Sequence, residues 1–359
     1  MLRARGTAQL LRAIPNPTAQ LETDNLAPTY KVTAVQQFGW LLRNPAERAA
    51  GRAGVDRARA DSTRILAETD RDVRLSFYSA VAADRELALA LEHSLLADSL
   101  AMMATRRAAA GDISDLERDQ VKLEASRATL AAAQSRESAL VARAELARAV
   151  AWDRDQLPIA AGALDDGLAD GALIELRRLA SEARPGTIPT VRAAIADSTA
   201  AAARLRSAQI ARIPFPGLLV GREWGGIAGG GSNAIIGAAM PIPLWNFGGP
   251  AVRQARGTAQ EQAALVAEAR LTATAQLVAA RSRLDERAQR ARVARDSLLP
   301  EARRIRAGAV RLYESGRTSL LPVLDALRAE RDVARVALAE QLAFQAAQAD
   351  LNVLIGRTP

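Results

Sequence analysis

The sequence lacks the residues from which many functional sites are built. Its 359 residues include no cysteine and a single histidine, His93. A disulfide framework, a thiolate metal site and a cysteine nucleophile are therefore excluded, and His93 has no second histidine with which to share a metal. Aromatic residues make up 3% of the chain, fewer than a compact globular core usually needs. We predict no catalytic residues, no metal site and no cofactor.

Long apolar runs are also missing. No run of 18 apolar residues occurs, so the sequence predicts no transmembrane helix. Alanine and arginine dominate, which suits long and closely packed helices. The formal net charge of +8 could serve nucleic-acid or membrane binding, but acidic and basic residues alternate at helical spacing, as they do from Glu330 to Arg335. We interpret the charge as a solvated helix surface and predict no nucleic-acid partner.

The chain repeats itself at an offset of 205 residues. Identical residues recur at this offset at points spread over more than a hundred residues. They include Trp40 with Trp245, Pro45 with Pro250, Gly111 with Gly316, and Leu146 with Leu351. This predicts two copies of one structural unit, residues 1–152 and 153–359. The first comprises a truncated helix, a β-hairpin at 15–43 and a long helical hairpin at 44–152. The second comprises a connector at 153–187, a helix at 188–212, a β-hairpin at 213–247 and a long helical hairpin at 248–356.

Period-two alternation predicts a pair of strands in each repeat. The predicted strands are Thr18–Asp24, Tyr30–Phe38, Gly217–Trp224 and Asn233–Ile242, the last two joined by the glycine-rich Gly225–Ser232. At about 8–10 residues each, they have the length of strands that cross an outer membrane. Because four strands cannot close a barrel and open edges are not tolerated in lipid, self-association is required. Three copies would supply twelve strands.

Seven aromatic residues lie in these hairpins, and we predict that they line the membrane interface. They are Tyr30, Phe38, Trp40, Phe215, Trp224, Trp245 and Phe247. The alternative is a soluble β-hairpin cap that packs on the ends of the helices. The glycine-rich turn lacks the lysine and hydroxyl residue of a phosphate-binding loop, so a hairpin turn explains it better.

Helical periodicity predicts four long helices, at Asn44–Ala110, Asp112–Ala151, Gly248–Ser315 and Arg317–Ile355. Each pair is joined at a glycine, Gly111 or Gly316, which can adopt the left-handed conformation that ends a helix. Asp112 and Ser114 offer capping oxygens, and Pro322 suits the first turn of a helix. The tips are residues 111–116 and 316–321, and we expect their apolar side chains to be exposed.

Several motifs carry a family resemblance through their order and spacing. They are Pro15-Asn16-Pro17 before the first strand, Pro241-Ile242-Pro243-Leu244 leading into Phe247-Gly248-Gly249, Gly111-Asp112-Ile113-Ser114, and Gly316 to Leu321 followed by Val323-Leu324-Asp325-Ala326. Together they resemble the outer-membrane efflux protein family, whose best-known member is TolC, over nearly the whole chain. The segment Pro15–Asn25 is similar to the heavy-metal, CzcC-like branch.

The resemblance implies a mainly helical protomer with a small β part. Three protomers would form a 12-strand β-barrel in the outer membrane and an α-helical barrel in the periplasm. The implied partners are outer-membrane lipid, a periplasmic adaptor protein and an inner-membrane pump. The implied function is export of a substrate, which includes metal ions where the efflux system is of the resistance-nodulation-division type.

The resemblance also implies two sets of site residues near the tips. Polar links that hold the tunnel of such proteins shut correspond by motif position to Tyr313, Glu117 and Asp325. The residues implied in docking of the adaptor are Gly111, Ile113, Ser114, Leu116, Gly316, Ser319, Leu320 and Leu321.

The repeat predicts that the first helix is cut short. The helix Ile188–Arg212 precedes Pro214-Phe215-Pro216, which corresponds to Pro15-Asn16-Pro17. Its counterpart in the first repeat would begin about a dozen residues before Met1. We therefore expect a truncated helix, and a signal peptide upstream of the given chain.

A structural coiled coil or surface-binding helical protein without a pore is the alternative function. It would explain the helices and the charge, but not the paired hairpins at matching positions of the two repeats. Dependence on detergent would distinguish a barrel protein from a soluble rod.

Overall fold

The structure, a computed structural model, describes residues 1–24, 29–225 and 231–357. The glycine-rich turn predicted at Gly225–Ser232 lies mostly outside these ranges, as does Asn25 of the CzcC-like segment. As predicted, the chain is mainly helical with one small antiparallel sheet. The elements in chain order are α1 (Leu2–Leu10), β1 (Thr18–Asp24), β2 (Thr29–Gln37), α2 (Trp40–Ala109), α3 (Asp115–Ala149), α4 (Asp170–Glu182), α5 (Pro189–Ile210), β3 (Gly217–Gly225), β4 (Ser232–Ala239), α6 (Gly249–Val293), α7 (Leu299–Glu314) and α8 (Leu321–Ile355).

The chain packs into two compact units. The sheet unit comprises Met1–Arg64 and Pro185–Thr274, and the helical unit comprises Ile65–Arg184 and Ala275–Pro359. Each unit takes residues from both sequence repeats. The repeat boundary near residue 152 is therefore not a boundary between packing units, and it stays a prediction about similarity within the chain.

The sheet unit contains four antiparallel strands in the order β1-β2-β3-β4. Ala34 of β2, Val220 of β3 and Ile236 of β4 lie opposite one another across the sheet, so their side chains share one face. Further members of this face are Leu21, Tyr30, Val32, Leu218 and Trp224. Residues next to these in the chain point the other way, so the opposite face carries the ion pair of Lys31 with Glu22 at 3.4 Å, and also Val35, Leu219 and Ile235. Both faces mix polar and apolar residues, since Gln36 and Arg222 lie on the first face, but the large exposed apolar side chains of the strands are concentrated on that first face.

The last strand ends earlier than predicted. β4 stops at Ala239, whereas alternation of side chains predicted a strand to Ile242. Pro241 and Pro243 follow the end of the strand, and proline has no N–H to donate to a neighbouring strand. The alternation of side chains therefore continues past the point where the backbone can pair.

All four long helices differ from their predicted bounds. α3 begins at Asp115 rather than Asp112 and α8 at Leu321 rather than Arg317, while α2 begins at Trp40, before the predicted Asn44, and includes Pro45. The helix predicted at Gly248–Ser315 contains a π-helical turn at Ala294–Leu298 between α6 and α7. Pro300 follows this turn, and its missing N–H breaks the regular hydrogen-bond ladder. A wider turn absorbs the break without ending the helical run.

One helix among the described residues, α2, is long and apolar enough to cross a membrane by length and composition. It contains an 18-residue window with a mean hydropathy of 1.3. By this criterion the expectation of no such helix was wrong. The same helix contributes Leu100 and Ala104, both fully buried, to the core of the helical unit, and packing between helices selects apolar residues as a membrane does.

The helical unit has two buried clusters. In the first, Phe344 and Leu351 of α8 pack with Leu277 and Leu284 of α6 and with Leu173 of α4. The second lies near the tips and joins four helices: Leu100 and Ala104 of α2, Val121 of α3, Tyr313 of α7, and Leu320, Val323, Leu324 and Leu327 at the start of α8. This second cluster positions the tips relative to one another.

The two tips have the backbone conformation that the sequence predicted. Gly111 has a φ of +82° and Gly316 a φ of +73°. Ser114 caps α3 by accepting a hydrogen bond from the backbone N–H of Glu117, and the Glu117 carboxylate accepts one from the backbone N–H of Ser114. Pro322 lies in the first turn of α8, where its missing N–H costs little.

We predict that Gly111→Ala and Gly316→Ala each destabilise the protein by about 1 kcal/mol. No atom lies within 4 Å of a β-carbon built at either site, so the cost is the strain of the left-handed backbone alone. Gly308→Ala is the matched control, because Gly308 also has open space but lies in α7. Thermal unfolding in detergent should show the control equally or more stable than the wild type. Equal behaviour of all three variants would contradict the prediction.

Candidate functional site

The apolar tip residues do not form one exposed surface. Leu116 is 68% exposed and Leu321 is 59% exposed, but Leu320 is only 3% exposed. Ile113 is half-buried against the same cluster that holds Leu320. The expectation that all four are exposed was therefore wrong for Leu320 and partly wrong for Ile113, because the cluster closes directly under the tips. The exposed apolar pair is Leu116 and Leu321.

Tyr313 lies inside the second cluster. It is 2% exposed, and the guanidinium of Arg107 lies 5.0 Å from the centre of its ring. Among the described residues its hydroxyl has no hydrogen-bond partner, which is costly for a buried polar group. A change that opens the cluster would give this hydroxyl access to water or to another polar group.

The three predicted gate residues lie in different surroundings. The Glu117 carboxylate is held in the cap of α3, while the Asp325 side chain is 64% exposed and lies 3.7 Å from Arg328. Within the described part of the chain, no hydrogen bond or ion pair joins Tyr313, Glu117 and Asp325 to one another. One protomer alone therefore does not assemble a polar link from them, and their role as a gate stays a prediction.

The aromatic residues of the hairpins divide into exposed and half-buried groups. Tyr30 pairs with Trp224 across β2 and β3, and both side chains are exposed. Trp245 is 95% exposed and Phe247 is also exposed, in the segment between β4 and α6. The half-buried members are Phe38, Trp40 and Phe215. A membrane-interface role stays a prediction for all seven.

A buried cluster of charges in the helical unit was missed from the sequence. Glu330 of α8 is 3% exposed, and His93 of α2 is 8% exposed. The Glu330 carboxylate lies 2.7 Å from Arg306, 3.7 Å from Arg303 and 3.7 Å from the Nε2 atom of His93. The Arg306 contact is an ion pair without hydrogen-bond alignment. These contacts link α2, α7 and α8.

The spacing of α8 contained the signal for this cluster. Val323, Leu327, Ala334 and Ala337 are all buried, and their spacings of four, seven and three residues define the inward stripe of the helix. Glu330 falls on that stripe, between Leu327 and Ala334. The sequence interpretation placed this glutamate on the solvated surface because it considered only the alternation of charge.

A second buried carboxylate lies near the first. Glu124 of α3 is 8% exposed and accepts a hydrogen bond of 2.7 Å from Arg328 of α8. That hydrogen bond lowers the pKa of Glu124. Glu124, Arg328 and His93 line a cavity of about 40 Å³ between α2, α3 and α8, which is room for a few water molecules. Groups of three or more metal-ligating side chains were not found among the described residues.

Helices of up to 70 residues, joined at glycine tips and combined with a sheet that exposes an apolar face, define a class of channel proteins with a membrane β part and a helical part. Residues 186–357 match the family described as outer membrane efflux protein. The chain is 28% identical over 326 residues to the cobalt-zinc-cadmium resistance protein CzcC of Cupriavidus metallidurans, and the match covers 88% of this chain and 75% of that protein.

Solved structures share the fold. CusC is similar with a TM-score of 0.77 and 16% sequence identity, covering 99% of this chain and 86% of CusC. The outer membrane protein VceC of Vibrio cholerae is similar with a TM-score of 0.75 and 17% identity, covering 99% of this chain and 90% of VceC. The resemblance to the outer membrane efflux protein family that the motifs indicated is therefore confirmed, by the family model over residues 186–357 and by the similarity to CzcC over 88% of the chain. These similarities support the predicted location in the outer membrane with an extension into the periplasm.

We predict that His93 makes the protein less stable in acid. Burial is the largest effect on His93 and lowers its pKa below 6.5, against the opposing influence of Glu330 and Glu92 and with that of Arg306 and Arg331. The unfolded chain therefore takes up the proton first as the pH falls. The stabilising effect of neutral His93 is complete above pH 6.5 and is lost progressively as the pH falls toward the folded pKa. The melting temperature in detergent, measured on either side of this window, should fall more for the wild type than for His93→Gln. Parallel loss in both proteins would contradict a role for His93.

Proposed function

We propose that this chain is the outer-membrane channel of a tripartite efflux system, that it works as a homotrimer, and that it exports divalent metal cations and catalyses no reaction. The observation that carries the proposal is the sheet. Its exposed face includes Leu21, Val220 and Ile236, and the last of these is 79% exposed. A polar solvent does not favour such a face, whereas lipid does. The alternative function, a structural coiled coil or surface-binding helical protein without a pore, does not account for this exposed apolar face.

The trimer follows from the edges of the sheet. β1 and β4 pair on one side only, and their free backbone groups would be costly inside a membrane. Three chains of four strands supply the twelve strands of a closed barrel, in which β1 of one chain pairs with β4 of the next. The face with Lys31 and Glu22 then lines the lumen, and the face with the exposed Leu21, Val220 and Ile236 contacts outer-membrane lipid.

The similarity to CzcC supports metal cations as the cargo, since CzcC is described as a cobalt-zinc-cadmium resistance protein. Asp325 suits such a cargo, because its carboxylate is exposed near the start of α8. Three copies of this carboxylate around one axis would repel each other and attract cations. The inner-membrane pump then supplies the energy for export, and the periplasmic adaptor connects the pump to the channel. Nucleic acid has no role in this system.

The exposed pair Leu116 and Leu321 supports docking of the adaptor at the tips. Each tip exposes one leucine, and these two side chains offer apolar contact to another protein at the ends of the helical hairpins. Glu117 directly follows Leu116, and Tyr313 lies in the cluster beneath the tips, so docking at the tips would act on these two proposed gate residues.

We predict that Leu321→Asp abolishes efflux without preventing trimer formation. The assay is cadmium retained by cells that contain the adaptor, the pump and this chain as the only channel, with crosslinking to the adaptor measured in parallel. Wild-type cells should retain less cadmium than cells without the chain. Leu320→Asp is the matched control, because it places a charge in the buried cluster and should lower the melting temperature instead. If Leu321→Asp also disrupts the trimer, Leu321 serves packing and the docking proposal is wrong.

We predict that Asp325→Asn reduces block of the channel by divalent cations. Loss of three carboxylates from a constriction removes the attraction that holds the cation there. Single-channel conductance in a planar bilayer, titrated with cadmium, measures the effect. Asp332→Asn is the control, since Asp332 is also exposed but lies two turns farther along α8. Unchanged block in Asp325→Asn would remove this residue from the constriction.

A further inference from the structure

The sheet unit contains a basic groove at the beginning of α2. It has a volume of about 730 Å³ and is lined by Arg12, Leu41, Asn44, Pro45, Arg48 and Arg52. Three exposed arginine side chains thus line one groove, and its lining includes no carboxylate. The groove is therefore suited to an anion with several oxygen acceptors.

The arginines of this groove are not neutralised by the protein. Among the described residues, Arg12, Arg48 and Arg52 form no ion pair, unlike Arg57 farther along α2, which contacts Asp61 and Asp197. The second repeat has an arginine at the position of Arg48, namely Arg253, which is also exposed and without an ion pair in the described structure. Both repeats therefore place an unpaired cation at the same point after their strands.

A largely apolar groove borders the basic one. It has a volume of about 600 Å³, and its lining includes Trp40, Leu42, Ile213, Ile242 and Phe247 together with Arg43 and Arg212. Leu41 and Leu42, adjacent in the first turn of α2, line the basic and the apolar groove respectively. The exposed Leu244 and Trp245 extend the apolar surface. An apolar collar thus passes directly into a basic groove.

The spacing of these features matches the edge of a bilayer. Arg48 lies eight residues after Trp40, which is about 12 Å along a helix, and an arginine side chain can extend back toward the membrane. The polar region of each leaflet is about 5–8 Å thick. An aromatic residue at the acyl boundary therefore brings the Arg48 guanidinium to the level of the lipid phosphates.

We propose that the groove of Arg12, Arg48 and Arg52 binds the phosphodiester of an anionic phospholipid in the periplasmic leaflet of the outer membrane. This rests on the proposed function only in that the apolar face of the sheet lies in lipid. The guanidinium groups donate hydrogen bonds to the non-ester phosphate oxygens, Asn44 adds an amide donor, and the acyl chains lie against the apolar collar. A free phosphate ion shares the charge but lacks the acyl chains.

The test is the amount of lipid that remains bound to the intact protein. The wild type, Arg48→Gln/Arg52→Gln and the control Arg270→Gln are placed in nanodiscs of phosphatidylethanolamine with phosphatidylglycerol, then transferred to detergent for native mass spectrometry. Arg270 is a suitable control because it is exposed and unpaired in the described structure, on α6 of the same unit. Retained phosphatidylglycerol should fall about fivefold for each arginine removed, and the control should match the wild type.

Two results would overturn the proposal. Equal retention of phosphatidylglycerol by the double variant and the wild type would mean that the arginines do not hold lipid. Displacement of the lipid by inorganic phosphate at equal concentration would assign the groove to a free anion. Chain number from the same spectra and conductance from the same samples report separately on the trimer and the channel. Failure of the proposed function would therefore appear as lost conductance. Failure of the lipid site would appear as equal retention of phosphatidylglycerol by the wild type and the double variant.

Discussion

Much of this structure depends on one constraint, the need of strand edges in a membrane for backbone partners. The described residues form four strands, and β1 and β4 each pair on one side only. In the proposed membrane location, lipid offers the free backbone groups of these edges no hydrogen bonds, and the proposed trimer supplies them. β2 and β3 pair directly although nearly 180 residues separate them in the sequence. Each pair of strands is followed in the chain by a long helical hairpin. Every pair of strands that joins the sheet therefore adds a helical hairpin as well.

The helical unit solves a different problem, the alignment of long helices that all present small apolar residues. Alanine stripes pack closely but are similar in every register, because a shift of one heptad replaces alanine by alanine. Glu330 and Glu124 remove this ambiguity, since a shifted α8 would leave a buried carboxylate without Arg306 or Arg328. Buried ion pairs add little net stability, but an unpaired buried charge is costly. The charges thus favour one register over the others.

Sequence reasoning succeeded where a single local rule decides the structure. Alternation located β1 at its observed bounds, and glycine marked both tips because a positive φ excludes most other residues. It failed where a local sequence pattern and packing against distant residues make opposite demands on one residue. Leu320 looked like an exposed tip residue but fills the core beneath the tip, and Glu330 looked like a surface charge but lies on the buried stripe. Contacts between distant parts of the chain decide both cases, and local patterns do not contain them.

The scarcity of aromatic residues follows from this division of roles. Helices lined with alanine approach closely and leave little volume for rings, so few rings are buried among the described residues of the helical unit, Phe344 and Tyr313 being two of them. Rings are instead concentrated in and beside the strands, where Trp245 is almost fully exposed. An exposed tryptophan is unfavourable in water but favourable at a membrane interface, which suits its apolar ring and its N–H group. The unpaired arginines that follow the strands fit the same boundary, because the proposed lipid site places them where apolar surface ends and lipid phosphate begins.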